Sequence, residues 1–236
     1  MSNLIKNRYD NELLSKLAFD LNAPKIKLVS FDLDDTLIKE IHSVMLPCIL
    51  NGKEKEHSII QKREDSGELD YISADYLRAE LLEGLAESKI AESFNEIARP
   101  LENIKNVIDA LHDNGILCIV ITVGPKQVAK VACDIWGFDD YYGSDYEIRN
   151  GKFTGKIIEY IKAENKVDCL KDYCRVKQIK PAECIAVGDG STDIPLFEYC
   201  GNSIAINASL DAREKADNIV DTQDLMDIMR FIVEEL

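Results

Sequence analysis

No apolar run in these 236 residues approaches the roughly 20 needed to cross a bilayer, so nothing in the sequence requires a membrane. The opening Met1-Ser2-Asn3-Leu4-Ile5-Lys6-Asn7-Arg8 lacks the apolar core of a secretory signal, which predicts a cytoplasmic chain. Basic residues are scarce: 28 Lys and Arg face 43 Asp and Glu, for a net charge of −15. A nucleic-acid partner is therefore not expected, because such proteins carry the opposite surplus to neutralise phosphates. The same negative field repels a small phosphorylated molecule unless a divalent cation and a well-placed lysine reverse it locally. For most of the acidic residues the surplus simply keeps the surface soluble. Histidines are few. His42, His57 and His112 lack metal-ligand spacing and read as surface residues or as part of a helical insertion described below. Seven cysteines are present, but none forms a C-x-x-C pair, and several sit in apolar runs such as Leu117-Cys118-Ile119-Val120. An odd number in such settings suits buried free thiols in a reducing cytosol, not a disulfide framework or a zinc site.

What is present is ordinary for a globular protein: 46% apolar and 30% charged residues, in a chain long enough for one good-sized core and a small insertion. Ile26 to Phe31, Ile116 to Ile121 and Cys184 to Val187 are short apolar runs that read as buried strands, with Ser203–Ile206 and Asn218–Val220 as two more. Asn150-Gly151 within 148–153 predicts a tight primed turn and hence a hairpin. Helices are expected from Pro100 to a stop at Gly115, over Lys126–Trp136, over Asn165–Gln178, and from Leu225 to the end, with a peripheral one over Asn11–Phe19. Alternating strands and helices predict an α/β, Rossmann-like parallel sheet covered by helices. Such sheets bind ligands outside the carboxyl ends of their strands, where Asp32/Asp34 and Asp189/Asp193 both fall. Residues 40–98 break the rhythm: they hold no buried-strand pattern and two helical stretches, 73–85 and 89–98. The division expected is a core of 1–39 and 99–236 with a helical cap domain of 40–98 inserted after the first strand.

The sharpest motif is Phe31-Asp32-Leu33-Asp34-Asp35-Thr36-Leu37, two carboxylates one residue apart directly after an apolar strand. It resembles the opening Asp-x-Asp-x-Thr of the phosphatase branch of the haloacid dehalogenase superfamily. The resemblance implies that Asp32 attacks phosphorus and forms a covalent intermediate, while Asp34 serves as acid and then base. Asp35 fills the free position of that pattern, with only a solvating role. Further pieces follow in the family's order: Thr122-Val123-Gly124 after the second strand, Lys166 at the start of a helix, and Gly188-Asp189-Gly190-Ser191-Thr192-Asp193. Taken alone, a Thr after a strand, a lone Lys and a Gly-Asp-Gly turn all have plain structural readings. With the first motif upstream, they imply phosphoryl binding by Thr122, Val123 and Lys166, and a Mg²⁺ held by Asp32, Asp34, Asp189 and Asp193.

Within the superfamily the sequence is most similar to phosphoserine phosphatases, through Asn150 to Gly155, Ala186 to Gly190, Ile204 to Ala208 and Glu214 to Asp217. That family carries a small helical cap between its first two motifs. The resemblance places Arg78 on the cap arginine that takes a substrate carboxylate, although an exposed helix residue is an equal reading. The family's amine-binding Glu falls on Ile41 by ungapped counting, and a one-residue shift brings in Glu40. Two departures stand out: Thr122-Val123 replaces Ser-Gly, and Thr192 replaces an Asn. The expected function is a Mg²⁺-dependent phosphomonoesterase for a small metabolite, with phosphoserine favoured. A phosphotransferase or mutase is the alternative within that chemistry, and a non-catalytic receiver-like module the alternative outside it.

Overall fold

The computed structural model describes residues 26–234, so the helix expected over Asn11–Phe19 lies outside the described residues. Among the described residues there are seven strands: β1 (Leu28–Phe31), β2 (Leu117–Pro125), β3 (Asp140–Arg149), β4 (Lys152–Glu159), β5 (Cys184–Gly188), β6 (Asn202–Ile206) and β7 (Asn218–Val220). They form one sheet in the order β4-β3-β2-β1-β5-β6-β7. All pairings are parallel except β3 with β4. The sheet is therefore mixed, because the Asn150-Gly151 hairpin can only return its second strand antiparallel. Both turn residues take positive φ, +50° and +73°. Every residue of β1, β5 and β6 is buried, as expected of strands covered on both faces.

The helices are α1 (Met45–Leu50), α2 (Glu54–Asp65), α3 (Tyr71–Glu80), α4 (Ser88–Ile97), α5 (Ile104–Asp113), α6 (Lys126–Trp136), α7 (Ala163–Lys177), α8 (Ile194–Tyr199), α9 (Leu210–Lys215) and α10 (Met229–Glu234). Alternate strand residues face opposite layers. Val29, Phe31, Val120, Ile185 and Val187 pack with apolar residues of α5, α6 and α10. Leu28, Ile119, Ile121 and Ala186 pack with Val167, Leu170 and Cys174 of α7 and with Leu196 and Phe197 of α8. Helix α5 starts four residues after Pro100, which instead bridges to Ile38, and Asn103 takes a left-handed φ of +62° before the helix begins. None of the helices described is long and apolar enough to cross a membrane.

Residues 40–98 hold four helices where the sequence marks two. Helix α1 is only six residues long and contains Pro47, and α2 buries only His57 and Ile60, so neither shows a clear apolar stripe. Helix α3 is capped by Asp70, whose carboxylate accepts the Ser73 N–H at 3.0 Å. The segment docks on the hairpin through main-chain bonds: Gly84 N–H donates to Phe153 O and Phe153 N–H to Leu85 O, both 2.9 Å. Leu46, Ala79, Leu82, Ile90 and Phe94 join the same apolar cluster as the sheet, so the insertion is packed onto the core and not free of it.

Candidate active site

Strand β1 lies between β2 and β5, so the residues that follow these strands meet at one edge of the sheet. The Asp32 N–H donates to Val187 O at 2.9 Å, which extends the β1–β5 pairing to the first motif residue. Carboxylate oxygens of Asp32, Asp189 and Asp193 all lie within 4.8 Å of one another. Lys166, in the first turns of α7, is fully buried and donates to Asp32 Oδ1 at 2.7 Å and Asp193 Oδ1 at 2.8 Å. The other Asp193 oxygen accepts the N–H groups of Asp189 (3.0 Å) and Gly190 (3.1 Å). Thr36 donates its hydroxyl to Asp189 Oδ1 at 3.0 Å. Gly188 is required by this packing: a Cβ there would sit 2.3 Å from Asp193 Cγ.

Like charges crowd this group. Burial pushes the Asp32 carboxyl well above its ordinary pKa; Lys166 opposes that, while Asp193, Asp189 and Asp34 add repulsion. Burial, with Asp193 beside it, pushes Asp189 up to about 7. Burial disfavours the Lys166 ammonium, but Asp193 and Asp32 outweigh it and hold its pKa above normal. Three crowded carboxylates and one ammonium leave a negative surplus, and an all-oxygen donor set of this kind suits a hard divalent ion such as Mg²⁺. Asp32, Asp189 and Asp193 are the residues that could hold it.

The Asp34 carboxylate is not part of that group, despite being expected among the metal ligands. It accepts both the N–H and the hydroxyl of Ser43, each at 2.5 Å. Burial raises its pKa, with His42 and the Ser43 hydrogen bonds opposing. Asp35 takes a left-handed φ of +55° and pairs with His42 at 2.9 Å, so it does more than meet solvent. His57 is buried in α2, within the insertion. Ser43 and His42 carry no motif, and nothing in their spacing from Asp34 points to a contact. The end of β2 presses on the same pair: a Cβ at Gly124 would lie 2.1 Å from Ser43 Oγ and 3.2 Å from Asp34 Oδ2. Thr122 is fully buried and its oxygen accepts the Gly124 N–H at 3.0 Å. Val123 O accepts the Ser144 hydroxyl at 2.7 Å.

The substrate residues expected from the insertion are placed differently. Arg78 is buried and donates to Asp75 Oδ1 (3.0 Å), Gln61 Oε1 (2.8 Å) and Glu64 Oε2, so it is not the exposed helix residue of the alternative reading. Glu40 is exposed, with a φ of +64°, and its side chain has no hydrogen-bond or ion-pair partner among the described residues. Thr192 is half-buried, next to Asp193.

Known proteins resemble this chain in sequence and fold. The model of the haloacid dehalogenase-like hydrolases matches residues 29–198, which span all the motif residues above. A phosphoserine phosphatase of Halobacterium salinarum is 30% identical over 203 residues, covering 84% of this chain and 94% of that protein. One of Methanocaldococcus jannaschii is 28% identical over 211 residues, covering 88% and 98%. A solved structure described as a phospho-aspartyl intermediate analogue of phosphoserine phosphatase is 27% identical, with a TM-score of 0.74, over 88% of this chain and 99% of that one. The chain belongs to the haloacid dehalogenase-like hydrolases.

Proposed function

We propose that this hydrolase removes phosphate from small phosphomonoesters by way of an aspartyl-phosphate on Asp32. The observation that carries the reading is the fully buried Lys166 ammonium held between the Asp32 and Asp193 carboxylates at the carboxyl edge of the sheet. Similarity to phosphoserine phosphatases makes phosphoserine the first substrate to assay. Asp32 attacks phosphorus, and the P–O bond to the alcohol breaks as Asp34 gives its proton to the leaving oxygen. Asp34 then takes a proton from water, whose oxygen attacks phosphorus, frees phosphate and returns Asp32. Ser43 holds Asp34 in place for both steps. Thr122 and the Val123 N–H support the phosphoryl oxygens, Lys166 offsets their charge, and Thr192 takes the place of the family's Asn. Mg²⁺ held by Asp32, Asp189 and Asp193 would add positive charge at the transferring group. Residues 40–98 act as the cap over a core of 1–39 and 99–236. All seven cysteines are free thiols, which suits a reducing cytosol.

Metal removal tests the reading. Stripped protein should release no phosphate from L-phosphoserine until Mg²⁺ is restored, and phosphate should then match alcohol one for one. A phosphate shortfall would show transfer to another acceptor; no turnover across a phosphomonoester panel with Mg²⁺ would sink the proposal. The pH dependence has a definite sign. Asp189 holds its proton to about pH 7 in the fold, against an ordinary value near 4 when unfolded. The metal-free fold therefore loses stability as pH rises across that window, and Mg²⁺ binds best once Asp189 has ionised. Added Mg²⁺ should raise Tm more above that window than below it, and the reverse order would contradict the ligand assignment.

Ser43→Ala should lower kcat about tenfold with little change in KM, the scale of one hydrogen bond to a charged group. An unchanged kcat in steady-state assays would remove Ser43 from the chemistry.

A further inference from the structure

Whether Arg78 can grip a substrate carboxylate depends on which of its protons are free. A guanidinium has five N–H donors on three nitrogens. A carboxylate fork takes one proton from each of two adjacent nitrogens along one edge, either Nε with Nη2 or Nη1 with Nη2. Both edges need a proton from Nη2. In this fold Nη2 gives its two protons to Gln61 Oε1 and Glu64 Oε2, and Nη1 gives one to Asp75 Oδ1. Nε is buried without a partner, so no intact edge remains. The charges agree with the geometry. Glu64 and Asp75 already face this one cation, which is 4% exposed, and a third carboxylate would bring an uncompensated charge into a buried site.

The same contacts have a structural purpose. Gln61 and Glu64 stand on α2, and Asp75 and Arg78 on α3. Asp75 in turn accepts the Tyr160 hydroxyl at 2.6 Å, and Tyr160 stacks on Tyr76 with ring centroids 5.8 Å apart. Arg78 thus joins two helices of the insertion to the chain just beyond β4.

We infer that Arg78 is a structural tie, and that the enzyme takes small phosphomonoesters without reading a carboxylate on the leaving group. This rests on the phosphatase reading above and narrows its substrate class. Phosphates of neutral alcohols and of amino alcohols should serve as well as those of hydroxy acids. L-Phosphoserine and O-phosphoethanolamine differ by the carboxylate alone, so their kcat/KM values with Mg²⁺ decide the matter. A ratio below about tenfold is expected, since a site built to bind a substrate group rejects the analogue lacking it by far more. A preference for phosphoserine of about tenfold or greater would overturn the inference while leaving the phosphatase reading intact. Absence of turnover on every phosphomonoester, p-nitrophenyl phosphate included, would overturn both. Arg78→Met gives a second readout: a lower Tm, with kcat/KM for the two esters changed by the same factor. A loss confined to phosphoserine would assign Arg78 to recognition, and if the variant does not fold the wild-type ratio decides alone.

Discussion

Replacing Asp32 with Asn should lower kcat by about ten-thousand-fold or more, with the fold retained. An amide nitrogen or oxygen is a far poorer nucleophile than a carboxylate, so no covalent intermediate can form. The neighbours make the substitution tolerable. Asp32 sits where burial and three nearby carboxylates already oppose its charge, so a neutral isostere relieves repulsion. Lys166 keeps its 2.8 Å contact to Asp193, so its ammonium is not left unpaired. Circular dichroism and Tm close to wild type, beside vanishing turnover, are the expected pair of results. Turnover near wild type would end the nucleophile assignment.

Lys166→Met should have the largest effect on stability. The ammonium is fully buried, and its loss leaves Asp32 and Asp193 facing each other without a cation. Breaking a buried ion pair from one side costs about 3–5 kcal/mol. In a chain of this length that lowers Tm by roughly 10 °C. The effect should shrink as pH falls, because protonation of either carboxylate removes the repulsion that Lys166 now offsets. Mg²⁺ should restore part of the lost Tm, since it supplies charge to the same oxygens. Turnover should fall by about a hundredfold to a thousandfold, the usual scale for losing one fixed electrostatic donor. A Tm unchanged at neutral pH would show that the two carboxylates do not depend on this ammonium.

Much of this site was legible because short sequence distances carried it. β1 and β5 read as apolar runs that stop at Asp32 and Asp189, and the fold places them side by side. Lys126–Trp136 and Asn218–Val220 have the same bounds in sequence and structure, since Gly137 and a compact β-branched run mark them plainly. Lys166 and Asp193 could be selected only through the family resemblance, since they are 27 residues apart and no local pattern joins them. What was not legible arises from contacts between polar helices. Helix α2 shows too few apolar residues to betray itself, so the partners of Arg78, 14 and 17 residues away on that helix, were hidden. Ser43 was missed for a similar reason: its bond to Asp34 depends on how the chain turns between Thr36 and Met45. Pro100 misled by suggesting a helix start, where a bridge to Ile38 takes precedence.

The covalent step can be observed directly by acid-quenching the wild-type enzyme during turnover of a phosphorus-radiolabelled monoester with Mg²⁺. The label should remain bound to the protein, map to the peptide containing Asp32, and be released by hydroxylamine as an acyl phosphate is. It should be absent from Asp32→Asn. Label on a different residue, or turnover that never labels the protein, would contradict the aspartyl-phosphate route.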